Sequence, residues 1–500
     1  MTVILNNFNL KKQSNYESVA FLNMPKIGLN NPPMGPALLQ AIARDMGCRT
    51  HFQDINLSFQ KWFKDDHVVL DDWCELREKL NSTTDQKLLE FAKSLDLDPV
   101  FSADIVAISV FSIHSVEYTS WFLNQFRSQI KGKIIIGGAG VNINNYGQQC
   151  YNAGLVDYYV INEGELAWKA ILSNSLPYPG VNSHGAGLSN FDDVPVPDYT
   201  GYQLNEYFNS QVHGITIGVE GSRGCVRNCT FCDIKSFWKK YKFKDGISLA
   251  TELIKLKEQF SVQHFFFNDS LVNGSDRAFR DFIKTLAEYN KTQTDPINWS
   301  GYYIIKPAGT YKEIDWLNLK NSGVKSLYIG IESGSENVRN HMKKKFSNSD
   351  IDDAMKNIQF HGIRCTWLMI IGYPSETEED FQMTLDLLTR YQPMAIDRTI
   401  DTVALGMTMG ILDDSPLAHL KEELHIVSSI GDVDNGIYWQ NENGDFKTRI
   451  RRRIEAEELI RKLGYNSWVG DNDVIAYFEK KLEEIENGIV KIDDFSDHHG

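Results

Sequence analysis

The sequence predicts an α/β protein in which a doubly wound, Rossmann-like domain precedes a partial (βα)6 barrel of the TIM type and a helical C-terminal region. Apolar strand-like runs alternate with helical patterns in two separate stretches, and the residues after about 420 are polar with helical periodicity. A chain of 500 residues also exceeds the size of one ordinary core. The predicted divisions are a first domain over 1–180, a linker over 181–212, a barrel over 213–418 and a C-terminal region over 419–500.

The first domain contains five predicted strands with helical segments between most of them. This alternation is typical of a parallel sheet that is covered by helices on both faces. Residues 66–100, rich in Asp, Glu and Lys, predict an inserted helical excursion, and the Pro- and Gly-containing residues 173–198 predict an irregular connection. The predicted strands are Ser18–Asn23, Thr50–Ile55, Ile105–Phe111, Lys133–Ile136 and Asp157–Ile161.

Six further strands, each followed by a helical segment, predict a partial barrel rather than a flat sheet. The helical segments include Ser248–Phe260, Ser275–Tyr289 and Ser349–Gln359. The predicted strands are Gly214–Val219, His264–Asn268, Trp299–Ile304, Ser326–Ile331, Thr366–Ile371 and Thr399–Leu405.

Two basic runs are interpreted as solvated surface. Arg449–Arg453 precedes several glutamates on the predicted helix Ile450–Leu463, so the arginines are expected on an exposed face. Lys343–Lys345 is likewise expected to lie at the surface.

Composition excludes several classes of protein. The net charge of −15 argues against broad electrostatic capture of nucleic acid. No run of about 18 apolar residues occurs, so a membrane-spanning helix is not expected. The first residues, Met1–Lys12, lack the apolar stretch of a secretory signal, and we therefore expect a cytoplasmic protein.

Three of the seven cysteines lie within eight residues, at Cys225, Cys229 and Cys232. They follow a predicted barrel strand directly, which puts three thiols on one loop at the end of the barrel where such folds keep their chemistry. Soft thiolates select zinc or an iron–sulfur cluster. The other four cysteines, which are scattered, are interpreted as small core residues: Cys48, Cys74, Cys150 and Cys365.

The choice between zinc and iron depends on a fourth ligand. A structural zinc site needs four ligands, and the nearest histidines in sequence are His213 and His264. Three cysteines on a four-iron cluster would instead leave one iron without a protein ligand and free to bind substrate. A zinc knuckle or chance clustering remains the alternative interpretation.

The spacing of Cys225, Cys229 and Cys232, with Phe231 before the last, resembles the CxxxCxxC motif of the radical S-adenosylmethionine (SAM) superfamily. The resemblance implies that these cysteines hold a [4Fe-4S] cluster whose open iron binds SAM. An electron from the reduced cluster would then cleave SAM to methionine and a 5′-deoxyadenosyl radical.

Later segments extend the resemblance to residues 213–418. The segment ending in Asp269 is similar to the family's second strand, and Tyr328–Glu336 (YIGIESGSE) is similar to its fourth-strand motif. The strand Trp367–Tyr373 leads into a segment close to the family's GxPGET pattern, except that Ser375 replaces a glycine. The resemblance implies contacts to SAM from Phe231, Asp269, Glu332, Ser333, Gly372 and Pro374. The simpler alternative is a set of strand-to-helix turns with capping residues.

Segments of the first domain resemble the cobalamin-binding domain that precedes the barrel in one radical SAM class. They are Asn31–Pro36, the IIIGGAG segment ending at Gly140, and DYYVINEGE ending at Glu165. The resemblance implies that Gly137, Gly138 and Gly164 let loops approach a corrin beyond the strand ends. The family's DxHxxG segment is absent, and its nearest candidate, His114, lacks the Asp and Gly. We therefore expect cobalamin without a histidine ligand, or a docking module without corrin.

Together these features predict a radical SAM enzyme that uses a [4Fe-4S] cluster, SAM and cobalamin, with methyl transfer to an unactivated centre as one outcome. The expected partners are a small-molecule or peptide substrate and a reductase such as flavodoxin or ferredoxin, with neither a membrane nor nucleic acid. The alternatives are a corrin-free radical SAM enzyme, either methylthiotransferase-like or a cyclase, and a noncatalytic metal-binding scaffold.

Overall fold

The computed structural model describes residues 13–25, 27–64, 82–185, 187–406, 409–428, 436, 439–467 and 473–487. The described residues form two compact units: one extends to Gly218 and includes Gln259–Val262, and the other contains the rest from Val219 onward. Residues 66–81 of the expected helical excursion, with Cys74, lie outside the described residues. Its remaining part is helical, in Ser82–Ser94 and Asp98–Ser102.

The first unit is built on a six-stranded parallel sheet in the order β2-β1-β3-β4-β5-β6. This order reverses direction between β1 and β3, and open α/β sheets bind ligands beyond the strand ends at such a switch point. The strands are β1 Ser18–Asn23, β2 Arg49–Asp54, β3 Ile105–Ser109, β4 Lys133–Gly137, β5 Tyr158–Ile161 and β6 Ser183–His184.

Both faces of this sheet are buried, as the expected doubly wound fold requires. Alternate residues of β1 belong to two separate apolar clusters: Ala20 and Leu22 to one, Val19 and Phe21 to the other. The covering helices include Met34–Asp45, Ile55–Trp62, Ile113–Phe126, Tyr146–Asn152 and Glu165–Leu172.

Three expectations for the first unit need correction. The strand β3 ends at Ser109 rather than Phe111, because Ser112 forms a capping box that starts the next helix. Asp54 caps the helix that begins at Ile55, so β2 also ends one residue early. The expected linker contains the sixth strand, β6, and the helix Phe208–His213, and buries Phe191, Tyr199 and Tyr207.

The second unit contains a seven-stranded sheet in the order β7-β10-β11-β12-β13-β14-β17. The six expected barrel strands are all present, within two residues of their expected ends, and follow one another in sequence order. The seventh, β17, is a two-residue strand parallel to β14. The strands are β7 Thr216–Val219, β10 His264–Phe267, β11 Asn298–Tyr303, β12 Val324–Glu332, β13 Cys365–Met369, β14 Ile400–Leu405 and β17 Asn466–Ser467.

Helices follow the barrel strands as expected, and side-chain caps explain where several of them start. Ser275 accepts a hydrogen bond from the Ala278 amide at the start of Asp276–Asn290, and Ser347 caps Asn348–Phe360 in the same way. The longer helices of this unit are Gly246–Phe260, Asp276–Asn290, Glu313–Asn321, Asn348–Phe360, Glu378–Arg390, Phe446–Leu463 and Asp473–Glu486.

Two small antiparallel pairs complete the second unit. The strand β8 (Ser222–Arg223) pairs with β9 (Lys242–Phe243), and β15 (Val427–Ser428) pairs with β16 (Trp439–Gln440). The C-terminal region is therefore helical, as expected, with short strands added. None of the described helices has the length and apolar character needed to cross a membrane.

The arginine run of the C-terminal helix is buried, so the expectation of a solvated face is wrong. Arg449, Arg452 and Arg453 expose less than a tenth of their surface, whereas Arg451 is exposed. The Arg453 guanidinium donates to the carbonyl of Gly406 and forms an ion pair with Glu457. Arg453 therefore packs against the end of β14, where a carbonyl and a carboxylate match its charge.

Candidate functional site

The three clustered cysteines lie on the loop that follows β8. All three are partly exposed, whereas Cys48, Cys150 and Cys365 are buried, as expected for core cysteines. Gly224 starts the loop with a positive φ of 79°, and a Cβ there would approach the Lys240 carbonyl oxygen to 2.8 Å. Glycine is therefore required at the point where the cysteine loop leaves the β8–β9 pair.

The middle of the loop is anchored through Thr230, which is fully buried. Its amide donates to the Met342 carbonyl at 3.2 Å, and its hydroxyl lies 2.7 Å from the Tyr373 hydroxyl. Its carbonyl accepts from the Leu417 amide at 2.7 Å. Thr230 thereby fixes the position of Cys229 and its neighbours relative to the segments that follow β12, β13 and β14.

Burial dominates the electrostatic surroundings of two of the thiols. Burial raises the pKa of Cys229 to about 11, and Glu332 and the other two thiols add to that rise while Lys344 opposes it. Burial also raises the pKa of Cys232. Such thiols stay protonated at neutral pH until a bound metal removes the proton, as coordination does. In the described part of the chain, no three His, Cys, Asp or Glu side chains gather closely enough to hold a single metal ion.

A buried ion pair lies beside Cys229. Glu332, at the end of β12, accepts a hydrogen bond of 2.8 Å from the Lys344 ammonium, and both side chains are about nine-tenths buried. Glu332 has a positive φ of 67°, which is strained for a residue other than glycine. Backbone conformations of this kind concentrate at functional sites, so the positive φ favours a functional role for Glu332.

The expectation that Lys343–Lys345 is a surface run is wrong for Lys344, whose side chain is largely buried. Its two neighbours are exposed and have positive φ values of 60° and 57°, and this backbone turns the middle lysine inward. Burial lowers the pKa of Lys344, but the charges of Glu332 and Cys229 outweigh that effect and raise it, so the ammonium keeps its proton. Its nitrogen also lies 5.9 Å from the centre of the Phe231 ring.

Ser333 is fully buried and serves the turn after β12. Its hydroxyl accepts from the Ser335 amide at 3.1 Å and lies 3.3 Å from the Thr384 hydroxyl. Its carbonyl accepts from the Arg339 guanidinium at 2.6 Å. These contacts stabilise the peptide that follows Glu332, and the expected contact of Ser333 with SAM stays a prediction.

Asp269, beyond the end of β10, is buried and uses both carboxylate oxygens within the protein. One accepts from the Gly221 amide at 2.9 Å, and the other from the Ser222 hydroxyl at 2.6 Å. Burial raises the pKa of Asp269 to about 7. Asp269 therefore ties β10 to the strand that leads into the cysteine loop, and its expected contact with SAM stays a prediction.

The turn after β13 is held by the C-terminal helix. Gly372 has a φ of 80° and donates its amide to the Glu376 carboxylate at 2.7 Å. Glu376 is fully buried, and burial raises its pKa to about 7. Arg452 lies 3.5 Å from the same Glu376 oxygen and donates to the Glu376 carbonyl at 3.2 Å.

Phe231 and Pro374 are the other two barrel residues that the sequence predicted to contact SAM. Phe231 packs against an apolar cluster that contains Tyr373. The Pro374 carbonyl accepts from the side-chain amides of Asn441 and Asn443, each at 2.8 Å. Asn441, Asn443 and Arg452 are contributions of the C-terminal region that no sequence motif indicated.

Four glycines at strand ends of the first unit differ in how closely other atoms surround them. A Cβ on Gly138 would meet the Val110 carbonyl oxygen at 2.5 Å, and one on Gly140 would meet the Val110 side chain at 2.9 Å. These two glycines allow the loops after β3 and β4 to pack closely. Added Cβ atoms at Gly137 and Gly164 would meet nothing closer than 3.8 Å. Phe111, two residues beyond β3, is 61% exposed at the switch point of the sheet.

Comparison with known proteins agrees with this geometry. Residues 219–388 match the family model described as the Radical SAM superfamily. The chain is 24% identical over 321 residues to an uncharacterized methyltransferase of Pyrococcus horikoshii, covering 59% of this chain and 66% of that protein. It is 25% identical over 311 residues to the ribosomal protein uS12 methylthiotransferase of Clostridium botulinum, covering 60% and 67%.

Two solved structures share the fold over nearly the whole chain. The radical SAM methyltransferase TsrM from Kitasatospora setae, with tryptophan and a SAM analogue bound, has a TM-score of 0.60 at 14% identity, covering 94% of this chain and 99% of that chain. The cobalamin-dependent radical enzyme OxsB, with aqua-cobalamin and SAM bound, has a TM-score of 0.63 at 15% identity, covering 95% and 71%.

The fold and the cysteine loop define an α/β protein with a partial barrel and three clustered thiols on the loop after β8. The family match makes this more specific: residues 219–388 of the chain form a radical SAM domain. A [4Fe-4S] cluster and SAM are the cofactors that this family implies.

Proposed function

We propose that Cys225, Cys229 and Cys232 hold a [4Fe-4S] cluster and that the chain cleaves SAM reductively to a 5′-deoxyadenosyl radical. The bound cluster supplies the electron for this cleavage. The observation that carries the proposal is the position of the three partly exposed thiols on one loop, where Phe231 of the same loop lies 5.9 Å from the ammonium of the buried Glu332–Lys344 pair.

The protein's own contribution is positioning and charge. Lys344 keeps its proton beside Cys229, so a fixed positive charge faces the negative charge that a reduced thiolate-bound cluster carries. The Glu332 carboxylate is held by Lys344 at a strand end and offers its remaining acceptor capacity to a polar ligand. The Gly372 turn, fixed through Glu376, makes room for the Arg449 side chain, which an added Cβ would approach to 2.5 Å, and the expected contact of Gly372 with SAM stays a prediction.

A cobalamin site in the first unit completes the proposal. The sheet switches direction between β1 and β3, Phe111 is exposed there, and Gly137 and Gly164 carry no side chain at neighbouring strand ends. An exposed aromatic ring beside small residues fits a broad, flat and largely apolar corrin. With both cofactors, the reaction we propose is methyl transfer to an unactivated centre of a small-molecule or peptide substrate.

Anaerobic reconstitution tests the radical part of the proposal. We expect about four irons per chain in the wild type and loss of the cluster in Cys229→Ala, with 5′-deoxyadenosine formed on reduction with SAM. Cys150→Ala, which changes a buried cysteine of the other unit, is the matched control and should retain the iron. Tight zinc without iron would refute the proposal.

A corrin-free, methylthiotransferase-like reaction is the second candidate, and the likeness to the uS12 methylthiotransferase favours it. Incubation with saturating cobalamin followed by gel filtration separates the two. Corrin absorbance that elutes with the protein supports the cobalamin-dependent reaction. Its loss, together with intact 5′-deoxyadenosine formation, supports the second candidate.

A further inference from the structure

The barrel sheet has one face that helices cover and one face that is only partly buried. Successive side chains of a strand point to opposite faces of the sheet. Phe267 of β10 and Trp299 of β11 both pack their rings against Phe282 of the helix that follows β10, with ring centres 5.5 and 5.6 Å apart. That helix therefore covers their face. Phe266 and Tyr302 lie on the opposite face, which is the inner face of the barrel.

Three aromatic side chains form one continuous group on the inner face. The ring of Tyr328 lies 5.6 Å from that of Phe266 and 5.4 Å from that of Tyr302, measured between ring centres. All three residues are partly exposed, whereas the residues immediately before and after each of them are buried. The interior of a complete barrel is a packed core, so this exposure indicates open space inside the partial barrel. We call Phe266, Tyr302 and Tyr328 the aromatic wall.

One end of the aromatic wall lies next to the Glu332–Lys344 ion pair. Gly330 follows Tyr328 by two residues along β12 and therefore shares its face of the sheet. A Cβ on Gly330 would clash with the Glu332 carboxylate and would approach the Lys344 ammonium nitrogen to 2.9 Å. The ion pair therefore occupies the space beside Tyr328.

The cysteine loop reaches the neighbouring strand of the aromatic wall. The Arg227 guanidinium, from the middle of this loop, donates to the Ile305 carbonyl at 3.3 Å. Ile305 follows Tyr302 by three residues, on the segment that leaves β11. A molecule bound on the aromatic wall would therefore lie beside both the cysteine loop and the ion pair.

The Tyr302 hydroxyl is a polar group that the protein leaves unused. It has no hydrogen-bond partner among the residues that the structure describes, whereas the Tyr311 hydroxyl donates to Asp276 at 3.1 Å. Burial raises the pKa of Tyr302, so its hydroxyl keeps the proton and can donate as well as accept. A polar atom at the edge of a bound ring would supply the missing partner.

We propose that the aromatic wall binds the substrate through an aromatic ring that carries a polar group at its edge. This inference rests on the proposed function, because it names the class of substrate for the same site. Aromatic rings prefer edge-to-face and offset contacts with one another, and a saturated ring of the same size lacks these contacts. None of the three side chains of the wall is charged, so the wall favours a neutral ring over an ionic group.

Binding of 2-naphthol and of its saturated analogue, decahydro-2-naphthol, tests the preference for an aromatic ring. Isothermal titration calorimetry on the reconstituted, SAM-loaded full chain gives both Kd values without any reduction of the cluster. We expect 2-naphthol to bind about tenfold more tightly than the saturated analogue in the wild type. Tyr302→Leu removes one ring and should weaken 2-naphthol binding about fivefold. Equal Kd values for the two probes, or no binding of 2-naphthol, would overturn the proposal.

The variant Tyr302→Phe tests the polar contact and keeps the ring, so the packing of the wall is preserved. It should weaken the binding of 2-naphthol and leave that of naphthalene, which has no hydroxyl, unchanged. The matched control is Tyr289→Phe, at the end of the helix Asp276–Asn290 outside the sheet, and it should change neither Kd. Equal weakening in both variants, or in neither, would contradict the role of the Tyr302 hydroxyl.

Formation of 5′-deoxyadenosine from SAM and dithionite, measured on the same preparations, separates this inference from the proposed function. If the wild type forms no 5′-deoxyadenosine, the proposed function fails, and binding of 2-naphthol that depends on Tyr302 still supports the aromatic wall. If the wild type cleaves SAM but binds both probes with the same Kd, the proposed function stands and the aromatic class of substrate is refuted.

Discussion

At the scale of single residues, the site depends on Lys344, the middle residue of a run of three lysines. The motif around Glu332 is visible in the sequence, whereas the inward turn of Lys344 is set by the positive φ of its two neighbours. No local pattern of charge or hydropathy distinguishes the middle lysine from the others. The ion pair with Glu332 could therefore be found only from the fold.

Replacing Lys344 by Met should make the cluster harder to reduce. The variant removes a positive charge beside Cys229, and nearby charge helps to set the potential of a cluster. We expect the midpoint potential to fall by tens of millivolts in a redox titration followed by electron paramagnetic resonance. Lys343→Met changes an exposed neighbour and should leave the potential unaltered. An unchanged potential in Lys344→Met with full iron content would contradict this role.

Asp269 should make stability depend on pH. Its folded-state pKa of about 7 lies above its ordinary value of 3.8, so its stabilising contribution is present below about pH 4 and is lost as the pH rises through 7. Asp269→Asn removes this titration and should reduce the fall in unfolding temperature between pH 4 and pH 7, roughly by a few degrees. Asp386→Asn, at an exposed helix position, is the control. An identical fall in wild type and Asp269→Asn would refute the assignment.

At the scale of elements, strands were easier to predict than contacts between elements. The alternation of apolar runs located every barrel strand because each run is long enough to show its period. The two-residue strands β6 and β17 have no period to detect. The burial of Arg449, Arg452 and Arg453 was missed because a charged helix face looks solvated until the groups that cover it are known.

The C-terminal helix should support the Gly372 turn through Arg452. Arg452→Gln leaves the fully buried Glu376 without its cation, and loss of one partner of a buried ion pair costs about 3 kcal/mol. We expect a lower unfolding temperature and a raised KM for SAM, with a smaller effect on kcat. Arg451→Gln, at the exposed neighbouring position, should change neither. A destabilised variant with a normal KM would limit Arg452 to a structural role.

At the scale of the whole molecule, the order of the two units was predictable, but the course of the chain between them was not. The residues expected to form a linker show no helix or strand periodicity because they form short turns. The side chains of Phe191, Tyr199 and Tyr207 are nevertheless buried. Tyr199 donates to the Gly218 carbonyl and packs its ring against Phe260, and all three residues belong to the first unit. Contacts this far apart in sequence leave no local pattern.

The two proposed cofactor sites belong to different units and should fail independently. Cys229→Ala should lose iron while it keeps cobalamin, because every contact of the cysteine loop described above lies in the second unit. Phe111→Ala should keep iron and weaken cobalamin binding about tenfold, since a stacked aromatic ring contributes about 1 kcal/mol beyond its burial. Phe208→Ala, which removes a 58% exposed ring elsewhere in the first unit, is the matched control. Iron content and corrin absorbance of the same samples would measure both effects, and simultaneous loss of both cofactors in either variant would contradict two separate sites.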